Sequence, residues 1–400
     1  MNRWVKNAVR SLVIVVLLLA TSSCATQPKL VADTQACQWP YGCNVRAEKG
    51  PELPEIEGRA GLPADTFALG PPSGSKLGDE INGRRLPFEH QPAQGFSAVL
   101  NAGAADTYWV MTDSGYGTKA NSSDFLLRMY RIRTDFEVGR GSRGDISIEE
   151  WITLRDPDRH ISFPITNEDT KDRILTGADF DPESVRRDLA GDLWFGDEYG
   201  PFLLHTDATG RVLEAPFPLP DVRAPESPDL GWSEVANLPS SEGFEGMAIS
   251  QDGKYLYPML GGALTGDPDQ RRRFIYEFDL QKKRYTGEYW QYQTDDPEYT
   301  VTELSPLAGD PQHRLLVVER SSTETKSAQF VRVYLVDLHH TDASGFLTKR
   351  RVLELPEPQI ESILAIGNRQ VLVLNDNDYP YTLNATEAVI IKLEGLPKES

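Results

Sequence analysis

One recurring pattern restricts the fold of this chain more than any other feature. A leading acid precedes a short apolar segment, a turn follows, and a second apolar segment comes after the turn. The leading acids are Glu183, Glu245, Glu303 and Glu361, at intervals of 62, 58 and 58 residues. A weaker fifth copy is GFSAV at residues 95–99, followed by YWVMTDSG. Repeats of about 40 to 50 residues built of short strands are typical of propeller blades, so the sequence predicts an all-β fold.

The repeats favour a β-propeller of five or six antiparallel blades within a domain at residues 65–397. Five units are counted directly, but the last one lacks room for its final strand before the end of the apolar segment 388–393. We expect an N-terminal strand to complete this blade, because closure removes the exposed edges of a sheet.

The first 23 residues are typical of an export signal. They begin with three basic and no acidic residues, continue through an apolar run over 11–20, and end in small residues before Cys24. A cysteine in that position is similar to the lipidated residue of bacterial lipoproteins. We therefore predict an exported protein, either a periplasmic or outer-membrane lipoprotein anchored at Cys24 or a periplasmic protein released by simple cleavage.

Residues 24–64 are rich in Pro, Gly, Ala and charged residues, and we interpret them as a tether. Cys37 and Cys43 enclose a short loop within it. In an oxidising compartment a disulfide is the expected state of such a pair.

The strong negative charge excludes one class of partner. The formal net charge is -19 and becomes -22 without residues 1–23, which carry three positive charges. Phosphate backbones are bound by clustered Lys and Arg, so we expect no nucleic-acid partner. We expect contact with a membrane only through the N-terminal anchor.

Acids that end inner strands of a propeller converge on its axis, where several carboxylates need compensation to remain ionised. Oxygen ligands suit Ca²⁺, which is the divalent cation we consider first. The candidate ligands are Glu183, Asp197, Glu303, Glu319, Glu361, Asp376 and Asp378. The alternative is that each acid caps a turn or binds backbone amides within its own blade.

Several other catalytic motifs are missing from the sequence. It contains no G-x-S-x-G elbow, no H-E-x-x-H helix motif and no phosphate-binding glycine loop. His205 is the only histidine within the core of a repeat, and a structural role is the simpler interpretation of it.

Several segments together resemble the phytase-like family described as "esterase-like activity of phytase". These segments are DFDPES, LWFGDEYGPFLLHTDATGRVL, GFEGMAIS with DGKYLYPM, ELSPL with LLVVERS, and VLVLNDND. The resemblance extends from about residue 95 to residue 393. It implies a secreted or envelope-bound β-propeller with phosphomonoester or carboxylester hydrolase activity. Ser362 departs from the pattern, since glycine more often follows the leading acid there.

The carboxylates and the resemblance together suggest a metal-assisted hydrolase of phosphate or carboxylic esters, acting on a small-molecule substrate. Glu198 or Glu245 would serve as the general base, and Arg320 would stabilise developing negative charge. The alternative function is a non-catalytic propeller that binds a partner of the cell envelope, since one fold hosts many functions.

Overall fold

The computed structural model describes residues 54–139, 143–308, 310, 314–321, 330–356, 360–367 and 369–393. The predicted signal at 1–23, the lipidation site Cys24 and the Cys37–Cys43 disulfide lie outside these ranges. Every regular element within them is a β-strand, which confirms the predicted all-β class. No helix in this part of the chain has the length and apolar character needed to cross a membrane.

The first half of the described chain contains the strands β1 (Ile56–Leu62), β2 (Phe67–Ala68), β3 (Glu80–Ile81), β4 (Arg84–Arg85), β5 (Gln91–Pro92), β6 (Phe96–Asn101), β7 (Thr107–Thr112), β8 (Arg128–Thr134), β9 (Gly144–Thr153), β10 (Pro182–Arg187), β11 (Leu193–Asp197), β12 (Phe202–Thr206) and β13 (Phe217–Pro218). The second half contains β14 (Phe244–Ile249), β15 (Tyr255–Leu260), β16 (Arg272–Asp279), β17 (Arg284–Gln293), β18 (Thr300–Pro306), β19 (Leu315–Arg320), β20 (Val331–Thr341), β21 (Leu347–Leu355), β22 (Ile360–Ile366), β23 (Gln370–Asn375) and β24 (Thr386–Lys392).

The described strands include five four-stranded antiparallel units. These are β6 to β9, β10 to β13, β14 to β17, β18 to β21, and β22 to β24 with β1. The first strands of the units contact one another in order, and β22 contacts β6, so the ring of inner strands closes. Four-stranded sheets arranged radially in this way form a β-propeller.

The closing strand comes from the N-terminal side of the domain, as predicted. β1 pairs antiparallel with β24, with Ala60 opposite Ala388, and pairs in parallel with β9 through Ala60 and Gly144. It therefore joins the last unit to the first. Because β1 spans Ile56–Leu62, the folded domain includes part of the segment 24–64 that we interpret as a tether.

Apolar side chains fill the space between neighbouring units. β11 is buried at every position, whereas the outer strand β17 exposes or half-exposes most of its residues. Trp194 and Leu203 of the second unit pack in one cluster with Phe244 and Leu256 of the third. Strands covered on both faces carry continuous apolar runs, which explains the apolar segments of the repeats.

Antiparallel pairing brings the acids of each repeat to one end of the ring. The start of each first strand lies beside the end of the second strand, as in the pairs Pro182 with Asp197 and Ile360 with Asn375. Acids near the start of a first strand and acids that follow a second strand are therefore neighbours, although they are about 15 residues apart in sequence.

Candidate functional site

A β-bulge recurs in the first strand of all five units, near the acidic end of the ring. The residues left out of the pairing are Ser97, Glu183, Glu245, Thr302 and Glu361. Bulges redirect side chains and are common beside active sites. Three of the four leading acids therefore occupy equivalent positions at the mouth of the central channel.

Glu303 lies one residue beyond the equivalent position, which Thr302 occupies instead. Its carboxylate pairs with Arg186 of the second unit, at 2.8 Å between Oε1 and Nη2, and both side chains are almost completely buried. Burial raises the pKa of Glu303 to about 7, although the Arg186 guanidinium opposes the shift. Glu303 thus links two units that are not adjacent in the ring.

The centre of the acidic cluster consists of Asp181, Glu183 and Glu198. Each offers one carboxylate oxygen, and these oxygens all lie within 4.8 Å of one another. Asp181 and Glu198 are buried and Glu183 is half-buried. The Asp181 carboxylate accepts a hydrogen bond from the backbone N–H of Ser114 at 2.8 Å, and the Glu198 N–H donates to the Asp181 carbonyl at 2.9 Å. The loops of the first two units hold these groups in place.

The acids of this centre have raised pKa values. For Glu198 the main cause is burial, followed by the negative charge of Glu245. For Glu183 burial again comes first, followed by the charge of Asp181. Burial also raises the pKa of Asp181, although hydrogen bonds from Ser114 oppose the shift. The charged forms are therefore disfavoured unless a cation is present.

Glu245 and Arg320 extend the site toward the third and fourth units. Burial raises the pKa of Glu245 to about 8, while the Arg320 guanidinium opposes the shift. Gly261 makes room for this acid, because a Cβ there would lie 2.4 Å from Glu245 Cγ. Arg320 forms an ion pair with Glu361 and keeps about a third of its side chain exposed. The Arg320 guanidinium thus places a positive charge at the edge of the carboxylate cluster.

A second group of acids lines a small cavity at the same end of the ring. Asp113, Asp376 and Asp378 line a cavity of about 70 Å³ together with Tyr379. Asp113 and Asp376 converge on Gly95, whose missing Cβ would lie 3.5 and 3.3 Å from their Oδ1 atoms. Burial raises the pKa of Asp113 well above its usual range, and the charge of Asp376 adds to this shift. This cavity continues the acidic mouth toward the first and fifth units.

Two further acids predicted as metal ligands have protein partners. Asp197 accepts hydrogen bonds from the backbone N–H groups of Asp181 and Gly200, at 2.8 and 2.6 Å. Glu319 is fully buried, accepts a hydrogen bond from the Tyr292 hydroxyl and pairs with Lys349 at 2.6 Å. The Asp197 contacts match the alternative in which an acid binds backbone amides within its own blade. Glu319 instead contacts side chains, Lys349 of its own unit and Tyr292 of the third unit.

The structure also adds residues that the repeat pattern did not single out as ligands. Asp181 is central to the cluster. Glu242 lies at the edge of the cluster, and burial raises the pKa of Glu242. The buried Tyr199 hydroxyl lies near Asp181, and burial raises its pKa. The segment DFDPES carries three acids and SEGFEG carries two, and these additional acids beside Glu183 and Glu245 were the available signal.

The fold and the site together define the class of this protein, a β-propeller with a cluster of buried carboxylates at the mouth of its channel. A family model described as "Phytase-like: Esterase-like activity of phytase" matches residues 91–379. The chain belongs to this phytase-like family.

A protein of Arthroderma benhamiae named "Uncharacterized secreted protein" is 27% identical to this chain. The match covers 38% of this chain and 36% of that protein, so the chain spans about a third of that relative's length.

Solved structures with similar folds are far more distant in sequence. The Dos1 propeller is 10% identical, with a TM-score of 0.32, and the match covers 77% of this chain and 69% of that one. An exo-β-1,3-galactanase of Phanerochaete chrysosporium is 10% identical, with a TM-score of 0.42 and coverage of 80% and 63%. The calcium-binding protein regucalcin of Agrobacterium tumefaciens is 12% identical, with a TM-score of 0.38 and coverage of 76% and 93%.

Proposed function

We propose that this protein is an exported, metal-assisted hydrolase of phosphate or carboxylic esters. The observation that carries the proposal is the convergence of Asp181, Glu183 and Glu198 within 4.8 Å at the channel mouth. Membership of the phytase-like family supports an ester as the substrate.

The donor set fits a hard divalent cation. Two oxygens bound to one Ca²⁺ at about 2.4 Å can be at most about 4.8 Å apart, which is the limit met by Asp181, Glu183 and Glu198. Burial and mutual repulsion raise the pKa values of these acids. A cation would relieve that repulsion, and all the donors are carboxylate oxygens, which Ca²⁺ prefers.

Asp181, Glu183 and Glu198 would hold the cation, with Glu361, Asp376 and Asp378 as further acids at the same end of the ring. When bound, a divalent cation supplies Lewis-acid chemistry and makes water more acidic.

Glu245, or Glu198 through the oxygen that does not hold the cation, would take a proton from the attacking water as the water oxygen bonds to the ester phosphorus or carbonyl carbon. The bond from that atom to the alcohol oxygen breaks, and the alcohol leaves with the proton that the carboxyl group returns. A general base works best when its pKa is near the working pH, and the value of about 8 for Glu245 meets this condition. Arg320 would offset the negative charge that develops on the ester oxygen.

We further propose that residues 1–23 direct export and that Cys24 anchors the mature protein to a membrane. The basic start and apolar run of this segment support export. The name of the Arthroderma relative, a secreted protein, supports it as well.

The decisive experiment measures hydrolysis of p-nitrophenyl phosphate, p-nitrophenyl acetate and phytate by the purified protein, each with Ca²⁺ and with EDTA. We expect turnover of at least one ester with Ca²⁺ and its loss in EDTA. Folded protein that turns over none of them under either condition would overturn the proposal and favour a binding role.

A further inference from the structure

A second cluster of possible ligands lies at the opposite end of the second unit. Asp188 follows β10, Asp192 precedes β11, and His205 is near the end of β12. Because the three strands are antiparallel, these residues meet at the end of the blade away from Asp181, Glu183 and Glu198. We propose that Asp188, Asp192 and His205 bind Zn²⁺ or a chemically similar divalent transition metal, independently of the proposed ester hydrolysis.

The histidine is held in the orientation that a metal ligand needs. Its Nδ1 lies 2.6 Å from Glu214 Oε1, and Glu214 in turn pairs with Lys283 at 2.5 Å. The imidazole stacks on Trp194, with ring centroids 3.9 Å apart and planes inclined by 12°. An ionised carboxylate only accepts hydrogen bonds, so Nδ1 carries a proton and Nε2 is the ring nitrogen left to bind a metal.

That Nε2 atom is buried and has no hydrogen-bond partner among the described residues. His205 itself is only 5% exposed. Its Nε2 faces Asp192 Oδ2 at 3.7 Å, which is too long for a hydrogen bond. Ligand atoms of a tetrahedral zinc site with bonds of about 2.1 Å are about 3.4 Å apart. The gap between the two atoms therefore suits a shared metal better than a direct contact.

The two carboxylates complete a compact donor set. Asp188, Asp192 and His205 each offer one ligand atom, and all three atoms lie within 4.8 Å of one another. Asp188 is fixed in place, because its Oδ1 accepts from the N–H groups of Ala190 and Asp192 and its Oδ2 accepts from the Trp194 indole at 3.1 Å. The Asp192 side chain is 30% exposed, so water can reach a fourth position.

The donor types select the class of metal. Imidazole nitrogen suits Zn²⁺ and its neighbours in the first transition series, whereas Ca²⁺ and Mg²⁺ prefer oxygen ligands. The Glu214–His205 pair supplies the carboxylate–histidine arrangement that orients zinc ligands. The two ends of this one blade would then prefer different metals.

The test uses the full chain, stripped of metal and titrated with Zn²⁺ against a chromophoric chelator, with cobalt absorption as a second readout. Excess Ca²⁺ is included so that the carboxylate cluster does not take up Zn²⁺. We expect His205→Gln and Asp192→Asn to weaken zinc binding at least tenfold, and Glu214→Gln to weaken it by about 10- to 100-fold. The matched control is His340→Gln, since His340 is exposed and pairs with Asp337 at 2.7 Å. It should leave zinc binding unchanged.

His205→Gln removes the buried stack on Trp194 and is therefore checked for folding by its thermal midpoint in EDTA. Asp192→Asn preserves shape at a partly exposed position and tests the proposal even if His205→Gln unfolds. Folded wild-type protein that takes up no Zn²⁺ would overturn the proposal. Zinc binding that Asp192→Asn leaves unchanged would overturn it as well. Failure of ester hydrolysis would not affect either result.

Discussion

Buried acids in this protein fall into two groups that differ in their partners. Glu303 and Glu319 lie beside cations, at 2.8 Å from Arg186 and 2.6 Å from Lys349. Glu198 is also buried, but its largest electrostatic influence comes from another acid, Glu245. Acids of the first kind are balanced within the fold. Acids of the second kind need a proton or an external cation, which is the property expected of a ligand site.

The largest expected effect concerns catalysis. Glu198→Gln should lower kcat/KM for ester hydrolysis by about 100-fold or more, because it removes a general base or a metal ligand. Glu319→Gln changes an equally buried acid of the balanced group and should retain turnover while the protein is folded. The distinction between the two groups of acids fails if Glu198→Gln and Glu319→Gln lose activity equally, or if Glu198→Gln keeps full turnover.

A balanced acid should matter most for stability. Glu303→Gln at pH 8 leaves the buried Arg186 guanidinium without its charge partner, so the free energy of unfolding should fall by about 3 to 5 kcal/mol. Urea denaturation measures the change. The exposed Asp158–Arg211 pair provides the control, since Asp158→Asn should leave the free energy of unfolding nearly unchanged. Equal losses of unfolding free energy in Glu303→Gln and Asp158→Asn would contradict the assignment of Glu303 to the balanced group.

Calcium should stabilise the protein, and more strongly at pH 8 than at pH 5. Burial raises the pKa of Glu245 to about 8, above the value of about 4.3 for an unfolded glutamate. The folded state therefore retains the Glu245 proton between about pH 4.3 and pH 8. Without calcium, the free energy of unfolding falls as the pH rises through that window. Calcium at 100 times its Kd adds about 2.7 kcal/mol, and protons compete with it at pH 5. Thermal midpoints measured with Ca²⁺ and with EDTA at both pH values test this; equal shifts would count against the site.

The smallest expected effect is a gain in stability, opposite in sign to the loss expected for Glu303→Gln. In EDTA at pH 8, Glu198→Gln should raise the free energy of unfolding by about 1 kcal/mol, because folding of the wild type must either bury the Glu198 charge among other acids or protonate a carboxylate that is ionised in the unfolded state, and glutamine requires neither. The same urea experiment measures it. A destabilised Glu198→Gln variant would mean that Glu198 is balanced within the fold, as Glu303 is.

The sequence alone was enough to predict the β-propeller and its closing strand. The spacing of Glu183, Glu245 and Glu361 reflects equivalent bulges, and the missing last strand of the fifth unit indicated the role of β1. Such features are local or periodic, so they leave a pattern in a single sequence.

Only the tertiary structure decided which acids belong together. The bulge at Thr302, which displaces Glu303 by one residue, depends on the register between β18 and β19. Arg186 and Glu303 are 117 residues apart in sequence, and no periodicity predicts their contact. The repeat determined where acids occur, whereas the partner of each acid depends on side chains that folding brings from other units. That partner determines whether the acid's charge is balanced.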